Sequence, residues 1–268
     1  MPILTLYPGA LRRRELAGPY LDDVPADAGR PFIYANFLAS LEAHRATQQR
    51  WTKGRPRDDR QRPGLAPVHG IAGAGRRRTH HGSQARAIAT GTLKDMMITA
   101  HERYPDLRDY RPRGLSAHPA CVVVTSRPHD LAAGALKSAH PGAIAAIAPT
   151  TARDEARAAR AAGLQVVMVD EAPAVTGKDL WRALDERGLR RVYMTGGPRP
   201  FHSLVVDRVV DRLYLTTACR LLGGEEDRET LVRGSGLPLP VRGATAPSRA
   251  RGRGAAATTV CELRADSY

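Results

Sequence analysis

The sequence has little cysteine and no long apolar run, and both absences argue against whole classes of protein. Its three cysteines, Cys121, Cys219 and Cys261, lie far apart and form no Cys-x-x-Cys pair. This spacing disfavours a metal site or a dithiol redox motif and indicates a reducing compartment. No apolar stretch is as long as a membrane span, and the one at the start is too short for a secretory signal. We expect a cytoplasmic protein without a membrane partner.

Acidic residues are also scarce, with 27 Asp and Glu against 41 Lys and Arg, which leaves a net charge of +14. Most of this excess falls in two segments: residues 42–82 hold ten Lys/Arg against three Asp/Glu, and residues 242–268 hold five against two. A nucleic-acid-binding surface would interleave basic residues with aromatic ones, but only Trp51 and Tyr268 are aromatic in these segments. We therefore expect no nucleic-acid partner, and a basic nucleic-acid-binding protein is kept as the weaker alternative.

What the sequence does contain is an alternation of strand and helix patterns. The stretch RPFIYANFLASLE at residues 30–42 predicts a buried strand, and from residue 115 to residue 224 β-branched runs alternate with helical segments. This order predicts an α/β fold in three layers, with a mostly parallel central sheet and helices on both faces. We divide the chain into a lead-in at residues 1–29, a main domain at residues 30–234 with an irregular stretch at about 43–82, and an irregular basic tail at residues 235–268.

The strongest chemical signal is YMTGGPRPFHSL at residues 193–204, a strand followed by two glycines, a proline and a helix. Glycines let a ligand approach the backbone closely, and the N–H groups at a helix start attract phosphate. Taken alone, the motif is better explained as a tight strand-to-helix turn. The sequence segments that occur with this motif favour a nucleotide-binding site instead.

FIYANFLASLE, PACVVVTSR, YMTGGPRPFHSLVVDRVVDRLYLTTACRLLGG and TLVRG occur in this order. Together they resemble the C-terminal reductase domain of bacterial riboflavin-biosynthesis deaminase-reductases, a family with a dihydrofolate-reductase-like fold. The resemblance implies an NADPH-dependent reductase of a pyrimidine ribosylamine or similar heterocycle, with hydride passing from the nicotinamide. A homodimer is left open.

The resemblance also implies site residues, although it assigns no catalytic residue and no metal. The positions that match the family's cofactor contacts are Ala39, Ser126, Gly196, Gly197, Pro198, Arg199, Pro200, Phe201, His202 and Ser203. The positions expected to face the substrate are Asn36, Ser40 and Thr195. The chain departs from the family pattern in two places: Glu42-Ala43 replaces an Asp-Gly pair, and Thr195 replaces an acidic residue expected to touch the substrate. Substrate binding is therefore the function that these departures would affect first. The main alternative to an active reductase is an inactive or damaged member of the family.

The stretch GLAPVHGIAGAGRRRTHH at residues 64–81 fits neither helix nor strand, although the family has a helix and then a strand there. When the same codons are read one nucleotide later, the first and third bases of each new codon are fixed and the middle base is free. These constraints permit Asp-Trp-Arg-Leu-Phe-Thr-Glu-Leu-Arg-Ala-Gln-Ala-Asp-Val-Val-Leu-Ile-Thr, an amphipathic helix followed by a buried strand. We hypothesise that residues from about 43 to about 82 are translated out of frame between two compensating insertions or deletions. The irregular tail from about residue 234 suggests a change of reading frame there as well.

Overall fold

The computed structural model of the chain is organised around one large sheet. It describes residues 2–5, 12–15, 29–39, 77–92, 119–139, 142–170, 173–217, 243–250 and 257–263. Its strands are β1 (Pro2–Thr5), β2 (Arg12–Glu15), β3 (Phe32–Ala39), β4 (Arg77–His81), β5 (Ala120–Val124), β6 (Ile144–Pro149), β7 (Gln165–Val169), β8 (Arg191–Met194), β9 (Arg212–Thr217), β10 (Gly243–Ala250) and β11 (Ala257–Leu263). These strands form a single sheet in the order β2-β1-β10-β11-β9-β3-β8-β4-β5-β6-β7.

The sheet is parallel over most of its width. Strands β9, β3, β8, β4, β5, β6 and β7 all run in the same direction, whereas β11, β10, β1 and β2 follow as antiparallel neighbours at one side. The carboxyl ends of the parallel strands therefore meet along one edge of the sheet. In open α/β sheets, this edge is where ligands bind.

Five helices connect the parallel strands in the described residues: α1 (Gly82–Ala89), α2 (Ala133–Ala139), α3 (Arg153–Ala161), α4 (Gly177–Asp185) and α5 (Pro198–Val206). Short 3₁₀ turns at Pro128–Leu131 and Thr150–Ala152 precede α2 and α3. Pro198 occupies the first turn of α5, as its fixed φ angle predicts. None of the helices in this part of the chain is long and apolar enough to cross a membrane.

Alternate residues of the central strands enter two separate cores, one on each face of the sheet. On β5, Val122 packs with helices α4 and α5, whereas Cys121 and Val123 pack on the other face with α1, α2 and α3. On β6, Ile147 joins the first core and Ala146 joins the second. This alternation confirms the predicted layering of a mostly parallel sheet between helices.

Helix α4 begins with a capping box that its sequence encodes. The N–H of Asp179 donates to Oγ1 of Thr176 at 3.1 Å, and the N–H of Thr176 donates to Oδ2 of Asp179 at 3.1 Å. Two of the N–H groups that a helix start leaves without partners are thereby satisfied. The start of α4 also lies against the end of α5, since the N–H of Lys178 donates to Oδ2 of Asp207 at 3.1 Å.

Asp211 anchors the amino end of β3. Its carboxylate accepts the N–H of Ile33 at 2.7 Å and a guanidinium N–H of Arg30 at 2.6 Å. The N–H of Asp211 donates in turn to the carbonyl oxygen of Ile33 at 2.8 Å. These bonds fix where β3 enters the sheet, at the edge opposite the carboxyl ends.

The structure has strands in three segments where the sequence analysis predicted none. The lead-in contributes β1 and β2, the tail contributes β10 and β11, and the stretch at about 43–82 contributes β4. All five strands belong to the same sheet as the main domain. The expectation of irregular structure rested on side-chain pattern, whereas strand pairing is made by backbone groups, which every residue except proline carries in full. The ladder between β10 and β11 shifts register between Ala246 and Arg249, around Pro247, which lacks the N–H that a ladder needs.

Candidate functional site

The junction between β8 and α5 lies at the carboxyl edge of the sheet, between the central strands. Strand β8 ends at Met194, and Thr195, Gly196 and Gly197 lead directly into α5. Gly197 is the N-cap of this helix and makes no side-chain cap. The positive end of the helix dipole is therefore presented at the edge where a ligand would bind.

Gly196 is buried where no larger residue fits without rearrangement. A Cβ atom added to it would lie 3.0 Å from Cε of Met194 and 3.2 Å from Cβ of Pro200. Because the proline ring is rigid, the loop would have to move to make room. The sequence requires glycine here to let the backbone turn closely from strand to helix.

The first turn of α5 offers fewer N–H donors than an ordinary helix start. The helical ladder begins where the N–H of Phe201 donates to the carbonyl oxygen of Gly197 at 3.2 Å. Before this bond, Pro198 and Pro200 carry no N–H, which leaves Arg199 as the donor of the first turn. Together with Gly196 and Gly197, Arg199 makes three backbone donors available to an anion, and the Arg199 side chain is exposed.

An aromatic contact holds α5 against the end of β3. The rings of Phe37 and Phe201 lie 4.8 Å apart at 55°, and both residues are buried. Phe201 therefore anchors the first turn of α5 in the core. Ala39, at the end of β3, is 2% exposed and lies two residues beyond Phe37 on the same strand.

Asn36 carries an unusual feature for a residue in the middle of a sheet. Its Oδ1 and Nδ2 atoms are both buried, and neither has a hydrogen-bond partner within the described ranges. Its register partner on β9 is Tyr214, and the preceding residue, Ala35, is level with Met194 on β8. Thr195 therefore lies level with Asn36, one position past the end of β8. A buried amide with no partner among the described residues has one acceptor and two donors that a ligand could satisfy.

Ser126 lies at the same edge, further along the sheet. It follows β5 by two residues and is exposed, next to Thr125, whose Oγ1 accepts the N–H of Arg127 at 3.1 Å. Strand β4 separates β5 from β8, so Ser126 is roughly 10 Å to the side of the β8–α5 junction. A nucleotide that lies across the strand ends could contact both places.

The remaining predicted site residues divide into two groups. His202 and Ser203 lie on α5, half-buried, one turn from its start. Ser40 lies outside the described residues.

Arg182 and Asp170 form an ion pair of 2.7 Å near the end of β7, and this hydrogen bond raises the pKa of Arg182. No group of His, Cys, Asp and Glu in the described ranges is placed to hold a metal ion.

Three tyrosines that the sequence analysis did not single out form a cluster beside Asn36. The rings of Tyr34 and Tyr193 stack at 5.3 Å, and Tyr214 meets Tyr34 edge-on at 6.2 Å. Tyr34 and Asn36 share the face of β3 opposite Ile33 and Phe37, by the alternation of a strand. Their spacing of two residues was the available signal, since it places a polar residue on an aromatic face.

The geometry defines an α/β protein whose candidate site is at the carboxyl ends of parallel strands, against a glycine-rich helix start. The model of the RibD C-terminal domain matches residues 31–255, and the chain belongs to this family. This match confirms the resemblance to the C-terminal reductase domain that the sequence motifs indicated. No curated protein matches the chain.

Several solved structures share the fold at low sequence identity. A pyrimidine reductase-like protein from Corynebacterium diphtheriae is 14% identical, with a TM-score of 0.60 over 88% of this chain and 93% of that one. The diaminohydroxyphosphoribosylaminopyrimidine deaminase/5-amino-6-(5-phosphoribosylamino)uracil reductase from Thermotoga maritima is 13% identical, with a TM-score of 0.56 over 88% of this chain and 57% of that one. The riboflavin biosynthesis reductase of Saccharomyces cerevisiae is 11% identical, with a TM-score of 0.52 over 91% and 95% of the two chains. These likenesses confirm the predicted fold class.

Proposed function

We propose that this chain is an NADPH-dependent reductase of the riboflavin-biosynthesis type, acting in the cytoplasm on a pyrimidine ribosylamine or a closely related heterocycle. Family membership supports the reaction class. The observation that carries the proposal is that the amide of Asn36, which has no partner among the described residues, lies level with Thr195, directly before the glycine-rich start of α5.

The residues present fit a dinucleotide. The N–H groups of Gly196, Gly197 and Arg199 would hold the pyrophosphate, and the dipole of α5 would favour its negative charge by about 0.3–1 kcal/mol. Gly196 lets the turn pack closely against Met194 and Pro200 because it has no side chain. Ser126 and the exposed Arg127 lie further along the edge, where the adenosine half would extend. The chemistry that NADPH supplies when bound is a hydride.

Asn36 and Thr195 would orient the heterocycle. An amide offers one acceptor and two donors, which complement the alternating carbonyl and N–H groups of a pyrimidine ring. Burial strengthens such bonds, because the site excludes competing water. Thr195 adds a neutral hydroxyl at the same level of the sheet. Positioning of this kind, which holds the ring against the hydride donor, supplies much of the rate in a reaction of this class.

The replacement of an acidic residue by Thr195 has a consequence for affinity. A neutral hydroxyl forms weaker hydrogen bonds to an amine than a carboxylate does, since charge-assisted bonds are about twice as strong. We expect this chain to bind its substrate more weakly than the variant Thr195→Asp does, with NADPH binding equal in the two.

The proposal is tested by titrating the purified chain with NADPH and following nicotinamide fluorescence. The variant Gly196→Ala should weaken binding about tenfold or more, equivalent to about 1.4 kcal/mol, because its Cβ atom displaces the loop. The matched control is Gly134→Ala on α2, where an added Cβ meets nothing within 4 Å, and this variant should bind as the parent does.

Two results would contradict the proposal. One is a folded parent chain that leaves NADPH fluorescence unchanged while binding DNA in a salt-dependent manner, which would favour the nucleic-acid alternative. The other is equal NADPH affinity in the parent and Gly196→Ala, which would remove the β8–α5 junction from the site.

A further inference from the structure

Strand β4 occupies a central position in the sheet. It lies between β5 and β8 and pairs in parallel with both. Along β5 its register partners include Cys121, Val122 and Val123, which are at most 4% exposed. Along β8 its partners include Val192 and Met194, which are at most 2% exposed.

The neighbours of β4 belong to both cores of the protein. Val122, Val192 and Met194 line the α4–α5 core, whereas Cys121 and Val123 line the core on the opposite face. A parallel strand covered on both faces is built from near-continuous apolar residues. Strand interiors of this kind select β-branched side chains.

The five residues of β4 read Arg-Arg-Thr-His-His. The alternative reading of the same codons, displaced by one nucleotide, permits Val-Val-Leu-Ile-Thr at these five positions. The apolar run of the shifted reading covers residues 77–80, which are four of the five residues of the strand defined by backbone pairing. The pairing of β4 depends on the backbone, so it supports the shifted reading independently of the family pattern.

We propose that positions 77–81 are translated out of frame, and that Val-Val-Leu-Ile-Thr is the strand for which this sheet is built. The structure limits where translation returns to the original reading frame. Ala85 and Ile88 of α1 are 0% and 5% exposed and pack in the core with Cys121, so the printed frame suits the protein from Ala85 onward. The second insertion or deletion therefore lies between codons 81 and 85. The first lies beyond Ala39, whose buried side chain suits the printed frame.

The gene sequence tests this proposal directly, because the third base of each printed codon is the middle base of the shifted one. A middle T encodes the apolar residues. We expect T as the third base of the codons for Arg77, Arg78, Thr79 and His80, and C as the third base of the codon for His81. G, C or A as the third base of the codon for Arg77, Arg78 or Thr79, or C in the codon for His80, would replace Val, Leu or Ile in the strand and overturn the proposal.

A protein-level test uses the full chain with Arg77→Val, Arg78→Val, Thr79→Leu, His80→Ile and His81→Thr combined. Its thermal unfolding midpoint should rise by at least about 5 °C over the parent, because several apolar side chains enter the sheet. The matched control removes the same two charges from an exposed surface, through Arg153→Val and Arg157→Val on α3, and should not raise the midpoint. A midpoint that is unchanged or lower in the five-residue variant would overturn the proposal. Nicotinamide binding is not part of either test, so this proposal and the proposed function can fail separately.

Discussion

At Asn36, we expect an apolar substitution to make the fold more stable and substrate binding weaker. The two polar atoms of the Asn36 side chain are buried without a partner in the described part of the chain. Each such group costs about 1–3 kcal/mol relative to a satisfied one. Replacing Asn36 with Leu, a residue of similar length, removes the polar atoms and adds apolar area against Tyr34 and Tyr214. We expect Asn36→Leu to raise the free energy of unfolding by about 1–3 kcal/mol, or the melting temperature by about 2–12 °C.

The assay is urea unfolding followed by the fluorescence of Trp181, which packs against the α4–α5 core. The matched comparison is Asn36→Asp, which keeps the size of the side chain but buries a charge, and which should lower stability by several kcal/mol. In steady-state kinetics, Asn36→Leu should raise KM for the heterocycle at least tenfold and leave the Kd for NADPH unchanged. The reasoning is refuted if Asn36→Leu is as destabilising as Asn36→Asp, or if its substrate KM equals that of the parent.

Three further substitutions test how the site is supported, each measured by urea unfolding. Asp211→Ala should cost about 1–3 kcal/mol because the N–H of Ile33 loses its acceptor at 2.7 Å, and Asp211→Asn should recover most of this. Thr176→Ala should cost about 0.5–2 kcal/mol through loss of the α4 cap, whereas Thr176→Ser should cost almost nothing, and equal losses would show that the hydroxyl is not the cap. Gly177→Ala should cost about 1–3 kcal/mol because its Cβ would lie 2.9 Å from the carbonyl oxygen of Ser203; a neutral result would mean that α4 and α5 are not closely packed.

Much of the fold could be predicted because its elements are encoded locally. The run ACVVV, the capping residues before α4 and the proline that begins α5 are short-range signals, and the structure has an element at each place. The strands β4, β10 and β11 could not be predicted in this way. The residues of β4 and β10 lack a strand pattern, and the short Thr-Thr-Val run of β11 lies in a tail that was expected to be irregular. All three strands are defined by backbone pairing.

The candidate site could be predicted only in part. Glycines before a helix indicated the β8–α5 junction, and the structure places Asn36 and Thr195 level with each other beside it. The sequence did not indicate that the amide of Asn36 is buried with no partner among the residues that the structure describes, or that Phe201 packs against Phe37. Both facts depend on which side chains meet across the sheet.

By itself, the sequence determined the direction of the chain through its α/β units, because alternating strand and helix patterns with short connections allow few arrangements. It also determined the glycine-rich turn, since backbone conformation is a local property. Only the tertiary structure decided that β4 lies between two buried apolar strands and that Asn36 opposes Tyr214. The physical reason is that strand order and register are chosen by contacts between distant segments, and these contacts alone decide which polar groups are removed from water.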